Sequence, residues 1–105
     1  MVLMLVYWEL NPDFNPNDLG QIATELLQKQ LWPTEGVKML GWWITPDYWG
    51  VTVVEVDTEE NAMKDANIWR LAKPGIFKVY KSSIAMQAPN VPPLLYQLNE
   101  KLKEE

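Results

Sequence analysis

Three extended stretches of this chain lack the alternation that a sheet with one wet face requires. Residues 2–9 (VLMLVYWE), 36–45 (GVKMLGWWIT) and 49–57 (WGVTVVEVD) are apolar, β-branched or aromatic on both sides of the strand. A sheet built from them has two apolar faces, and both need cover from water.

The remaining elements follow from periodicity and punctuation. Residues 76–84 (IFKVYKSSI) read as a fourth strand. Asn15 and Pro16 suit a helix start, and Leu19, Ile22, Ala23, Leu26, Leu27 and Leu31 recur at helical spacing, so a first helix is expected over 16–31. Asp57 with Glu60 has the form of a capping box. A second helix follows, with Ala62, Met63, Ala66, Trp69 and Ala72 on its buried side, and Lys73-Pro74-Gly75 stops it. After the linker APNVPP, residues 93–104 form a short amphipathic helix carrying Leu94, Leu95, Leu98 and Leu102.

The order β-α-β-β-α-β is the ferredoxin-like plan, an α+β fold. It predicts a four-stranded antiparallel sheet in the order 4-1-3-2 with both long helices on one face. Residues 1–86 make up that domain, and 87–105 are linker and C-terminal helix. Four strands span roughly 19 Å at about 4.8 Å each, and two helices of about 10 Å cover one face. The tail helix alone is too small for the other. The expected solution is a homodimer through the open sheet face, its two sheets forming a barrel; a monomeric mass by light scattering would contradict it.

Register assigns side chains to faces. A two-residue turn at Pro46-Asp47 pairs Ile44 with Trp49, Trp43 with Gly50, and Trp42 with Val51, and sets Lys38 opposite Glu55. The open face then carries Lys38, Leu40, Trp42, Ile44, Trp49, Val51, Val53 and Glu55. The helix side takes Val37, Met39, Gly41, Trp43, Gly50, Thr52, Val54 and Val56, with Trp69 expected against Trp43. A one-residue slip would exchange the faces.

Composition excludes several function classes. The chain has no His and no Cys, so there is no His-based triad, no His or Cys zinc site, no Cys nucleophile and no disulfide. The net charge of −5 leaves no basic stripe for nucleic acid. The opening MVLMLVYWEL has no basic flank and is too short for a membrane span or signal peptide, so a cytoplasmic protein is expected. No metal is expected, because Asp57, Glu59 and Glu60 are explained by capping and the helix dipole. No cofactor is expected either.

Two candidate sites remain, both on the open face. The first takes strands 1 and 3 as parallel neighbours, which brings Tyr7, Glu9, Glu55, Lys38, Lys78 and Tyr80 to one edge. Glu9, Glu55, Lys78 and Tyr80 are the candidates for acid–base work there, and a compensated charge network at a dimer interface is the plainer reading. The second places Tyr7, Lys38, Trp42 and Trp49 around a small apolar or aromatic ligand between the sheets, where the tryptophans would otherwise fill the dimer core. Trp8 and Trp32 are expected only to pack.

The stretches GVKMLGWW, WGVTVVEVDTEENAMKDANIW and FKVYKSSIAM resemble a family of short bacterial and archaeal proteins known as a domain of unknown function, within the dimeric α+β barrel superfold. The resemblance spans residues 1–86 and rests on Gly36, Lys38, Gly41, Trp43, Glu55, Asp57 and Trp69. It implies the fold and dimerisation and no particular chemistry. Related barrels include cofactor-free monooxygenases, lactone isomerases, haem enzymes and ligand-binding domains. The haem branch lacks its usual His here. Three readings stand: a dimeric barrel binding a small apolar or aromatic molecule or acting as an accessory protein; a cofactor-free monooxygenase or isomerase; and an interaction module that uses the tail helix.

Overall fold

The computed structural model describes residues 1–104. Strand β1 (Val2–Leu10) leads through a 3-10 turn (Pro16–Asp18) into helix α1 (Leu19–Gln28). Strands β2 (Val37–Ile44) and β3 (Trp49–Val56) form a hairpin, followed by α2 (Glu59–Ala72) and β4 (Phe77–Ala85). A second 3-10 turn (Ala88–Asn90) precedes α3 (Val91–Leu102). The sheet order is β2-β3-β1-β4, the expected order read from its other edge, and every neighbouring pair is antiparallel.

Helix starts carry the expected chemistry with one change. The Asn15 side chain accepts from the Asn17 backbone N–H at 3.0 Å, opening the turn that feeds α1. At α2 the cap is Thr58, whose hydroxyl accepts from the Asn61 N–H at 3.1 Å. Asp57 instead accepts from the Asn61 side-chain amide at 2.9 Å. That bond, more than any other cause, holds the Asp57 carboxyl below its usual range. Gly36 opens β2 with φ of +77°, and its carbonyl accepts from the Asp57 N–H at 3.2 Å. A side chain there would be strained and would run into Asp57 and Asn61.

The β2–β3 hairpin departs from the expected register in two places. Its loop holds three residues, Pro46, Asp47 and Tyr48, because Thr45 N–H donates to Trp49 O at 2.8 Å while Tyr48 N–H donates to Thr45 O at 3.0 Å. Tyr48 sits at φ +60°, the left-handed end of a three-residue loop. The extra loop residue pairs Ile44 with Gly50, Trp43 with Val51, and Gly41 with Val53. An irregularity between Met39 and Gly41 then absorbs Leu40, so Lys38 does face Glu55.

The faces follow from this register. Val6, Trp8 and Leu10 of β1 and Val54 and Val56 of β3 are buried. Val6, Trp8 and Leu10 pack with Ile76, and Phe14, Leu19, Ile22, Trp69, Phe77 and Tyr80 close over them. The β3 assignment holds: Gly50, Thr52, Val54 and Val56 share the helix side, and Trp49, Val51, Val53 and Glu55 the open side. On β2 the loop reverses the assignment between residues 41 and 44. Trp42, opposite Thr52, stands on the helix side, whereas Gly41 and Trp43 stand on the open side. Gly50 lies against the Trp8 ring, an approach that leaves no room for a side chain.

Helix α3 projects from the body. The radius of gyration is 17.3 Å and the longest extent 59 Å, against about 13 Å expected for a compact chain of this length. The helix packs chiefly against its own preceding turn, and Leu94, Leu95, Leu98 and Leu102 are all exposed.

The hairpin loop has a direct test. A non-glycine residue in the left-handed region costs roughly 1–2 kcal/mol, and glycine escapes that cost at the expense of a more flexible unfolded chain. Tyr48→Gly is therefore expected to stabilise the protein by about 0.5–1 kcal/mol in denaturant melts. Lost stability would contradict the three-residue loop.

Candidate functional site

The open face does not assemble the expected polar cluster. Crossover through α1 makes β1 and β2 run the same way, and the hairpin reverses β3, so β3 lies antiparallel to β1. Glu9 is therefore opposite Trp49, while Glu55 is opposite Leu3 at the other end of the sheet. Lys38 stays with Glu55. Tyr80, opposite Trp8, belongs to the helix side. Lys78 falls at the irregularity between the Glu9–Val79 and Leu10–Phe77 pairs. The four residues expected to share acid–base work are thus dispersed over two faces and two ends.

Part of the aromatic expectation on that face survives. Tyr7 and Trp49 lie together, ring centres 5.8 Å apart. The Tyr7 hydroxyl donates to Glu9 Oε2 at 2.9 Å, which raises the phenol above its ordinary range. Beyond them runs a shallow trough walled by Leu5, Tyr7, Val51, Val53, Lys81 and Ser83. Trp42 is absent from this set for the register reason given above.

The tryptophans gather on the other side of the sheet. Trp42 meets Trp32 edge-on at 4.9 Å, Trp32 meets Trp69 edge-on at 5.4 Å, and Trp42 and Trp69 lie 6.1 Å apart. The expected Trp43–Trp69 pair is replaced by this triplet, since Trp43 projects from the opposite face and is 56% exposed. Deeper in, Phe77 packs on Trp8 at 6.0 Å and on Tyr80 at 5.0 Å. Trp8 Nε1 donates to Thr52 Oγ1 at 3.2 Å, so its one polar atom is satisfied on the wall.

These rings enclose a pocket between the sheet and the helices, with about 50 Å³ of free space. The aromatic wall comprises Trp8, Trp32, Trp42, Trp69, Phe77 and Tyr80, and a single carboxylate, Asp65, completes it. Asp65 lies one turn before Trp69 on α2, and both face inward by helical spacing. The buried Thr34 hydroxyl donates to Asp65 Oδ1 at 2.9 Å. Burial pushes the Asp65 carboxyl up, and the Thr34 bond offsets this only in part. Burial likewise pushes the Tyr80 phenol up to about 12, with Asp65 adding to the rise and Arg70 opposing it. Tyr80 is therefore a neutral hydrogen-bond donor near neutral pH and cannot act as a base there. The Arg70 guanidinium lies 4.4 Å over the Tyr80 ring.

Asp65 and Thr34 escaped the sequence reading, although a signal was present. Ala62, Asp65, Ala66 and Trp69 follow the i, i+3, i+4, i+7 pattern of a buried stripe. An acid within such a stripe is the anomaly to follow. Met63, expected on that stripe, is exposed instead. Trp32, expected only to pack, is part of the pocket wall.

Comparison with known proteins agrees with the fold. Residues 2–79 match the model of the domain of unknown function DUF3303, and the chain belongs to that family. No curated protein matches the chain. Among solved structures, protein Atu4242 from Agrobacterium tumefaciens is similar at a TM-score of 0.57 and 14% identity, over 84% of this chain and 94% of that one. A Nitrosomonas europaea protein, provisionally assigned as an antibiotic biosynthesis monooxygenase, is similar at a TM-score of 0.51 and 15% identity, over 84% and 99%. A dimeric ferredoxin-like protein of unknown function from Thermobifida fusca is similar at a TM-score of 0.51 and 12% identity, over 82% and 90%. At these identities the likeness is one of fold. Among the described residues, no helix is long and apolar enough to cross a membrane.

The half-buried carboxylate of Asp65 gives a pH prediction. The folded-state value of Asp65 is raised above its unfolded value of about 3.9. The cost of keeping it charged is absent below that pH and grows as pH rises through the folded-state value. Asp65→Asn keeps an acceptor for Thr34 and removes the charge. Its Tm is expected to exceed the parent's at pH 7, and the gap should close as pH falls below about 4. A gap that widens on acidification would contradict this.

Proposed function

We propose that the protein binds a small apolar or aromatic molecule in the pocket between its sheet and its helices, and carries out no chemistry at the open face. The observation that carries this reading is the convergence of Trp8, Trp32, Trp42, Trp69, Phe77 and Tyr80 on one cavity. Aromatic walls with a few placed polar groups are the usual make-up of a small-molecule site. The free space of about 50 Å³ is well below the ~150 Å³ of an engineered cavity that takes benzene. A ring-sized ligand therefore requires an indole to move. Trp42 is the candidate, because it is 46% exposed and its strand is at the sheet edge.

The open face has a different role in this reading. Leu5, Trp43 and Trp49 are exposed there beside Tyr7, Val51 and Val53, a contiguous apolar surface of the kind that marks an interface. We assign it to a second copy of the chain. Its self-complementary charges, Lys38 and Lys81 against Glu9 and Glu55, suit a two-fold contact. The dimeric state of the Thermobifida fusca protein supports a homodimer. A single-chain mass by light scattering at micromolar concentration would contradict it.

Toluene is a suitable neutral probe of the pocket. Each of the six tryptophans reports separately through its indole N–H in NMR. Addition of toluene is expected to shift the signals of Trp8, Trp32, Trp42 and Trp69. Shifts confined to Trp43 and Trp49 would move the site to the space between the sheets, and no shift at saturation would remove the binding reading.

A further inference from the structure

The pocket wall sets one carboxylate among aromatic rings without supplying a counter-charge. The Asp65 side chain is bonded to the Thr34 hydroxyl at 2.9 Å. The ion pairs among the described residues are Lys29–Glu25, Lys64–Glu60 and Lys103–Glu100, all within exposed helix faces. Lys64, next to Asp65 on α2, pairs with Glu60 at 3.3 Å, and Arg70 donates to the Ala66 carbonyl at 2.9 Å and lies over the Tyr80 ring. A partly buried carboxylate in apolar surroundings is stabilised by a cation or by a donor that reaches it. The rest of the wall is also suited to a cation. Aromatic faces attract ammonium groups, and Trp32, Trp42 and Trp69 stand together on the wall, whereas the Tyr80 ring is taken by the Arg70 guanidinium at 4.4 Å.

Size favours the same class of ligand. A cavity of about 50 Å³ is too small for a ring without rearrangement. An ammonium head is smaller and can sit at the carboxylate while the remainder of the molecule lies toward Trp42 and the mouth.

We propose that this pocket recognises a small organic cation, an alkylammonium or arylalkylammonium whose positive head pairs with Asp65 among the rings of Trp32, Trp42 and Trp69. The proposal rests on the pocket being the binding site, as argued above, and adds the charge of what enters it. Asp65 is then the specificity residue, and Thr34 a positioning residue that holds one carboxylate oxygen.

Benzylamine and benzyl alcohol test this, because they share a ring and one methylene and differ in the charge of the head at pH 7. Both are titrated into the full chain by calorimetry, at physiological salt, with the indole N–H signals followed in parallel. Benzylamine is expected to bind at least about tenfold more tightly. In Asp65→Asn, that advantage should fall to about twofold or less while benzyl alcohol binding stays. Equal affinities in the parent, or an advantage that survives Asp65→Asn, would overturn the proposal and leave the neutral pocket standing. Binding of neither probe at Trp8, Trp32, Trp42 and Trp69 would remove the pocket reading, and this proposal with it.

Discussion

The arrangement of the molecule depends on two one-residue offsets in the β2–β3 hairpin. The loop adds Tyr48 in the left-handed region, and β2 absorbs Leu40 between Met39 and Gly41, ahead of the loop. The two offsets cancel, so Lys38 meets Glu55 as simple alternation requires. Between them, however, residues 41–44 face the opposite way from a regular hairpin. That inversion brings Trp42 to Trp32 and Trp69 and leaves Trp43 on the open side over Gly41. With a two-residue loop and no irregularity, Trp43 would stand at the pocket and Trp42 at the open face.

The two apolar faces of the sheet thereby differ in how they are covered. The helix side closes over Val6, Trp8, Leu10 and Ile76, and its incompletely filled margin is the aromatic pocket. Asp65 sits at that margin in a position where an apolar side chain would be the more stable choice. Sites of binding commonly retain such locally unfavourable groups, and the raised carboxyl of Asp65 fits that pattern. The open side offers an exposed apolar surface that includes Leu5, Tyr7, Trp43, Trp49, Val51 and Val53. The projecting α3, with Leu94, Leu98 and Leu102 exposed, has no comparable cover among the described residues.

Much of the fold was legible in the sequence. Strands β1 to β4, the two long helices, the sheet order and the faces of β3 all follow from periodicity and punctuation. Loop chemistry was the point of failure. Thr45-Pro46-Asp47-Tyr48-Trp49 accommodates either a two- or a three-residue connection, and no Gly or Asn marks the left-handed position that Tyr48 takes. The polar cluster failed for a topological reason: reading β3 as parallel to β1 joined Glu9 to Glu55, which the antiparallel pairing separates by the length of the strand. Asp65 and Thr34 meet across 31 positions of sequence, a contact that local patterns do not reveal. Only the placement of an acid within an apolar stripe pointed toward it.

The pocket exists only if each hairpin tryptophan lies on the face described above. Nuclear Overhauser contacts among assigned indole rings measure this directly. Cross-peaks are expected between Trp42 and both Trp32 and Trp69, with none from Trp43 to Trp69. Cross-peaks between Trp43 and Trp69, with Trp42 silent toward both partners, would return the hairpin to a regular register and dismantle the pocket.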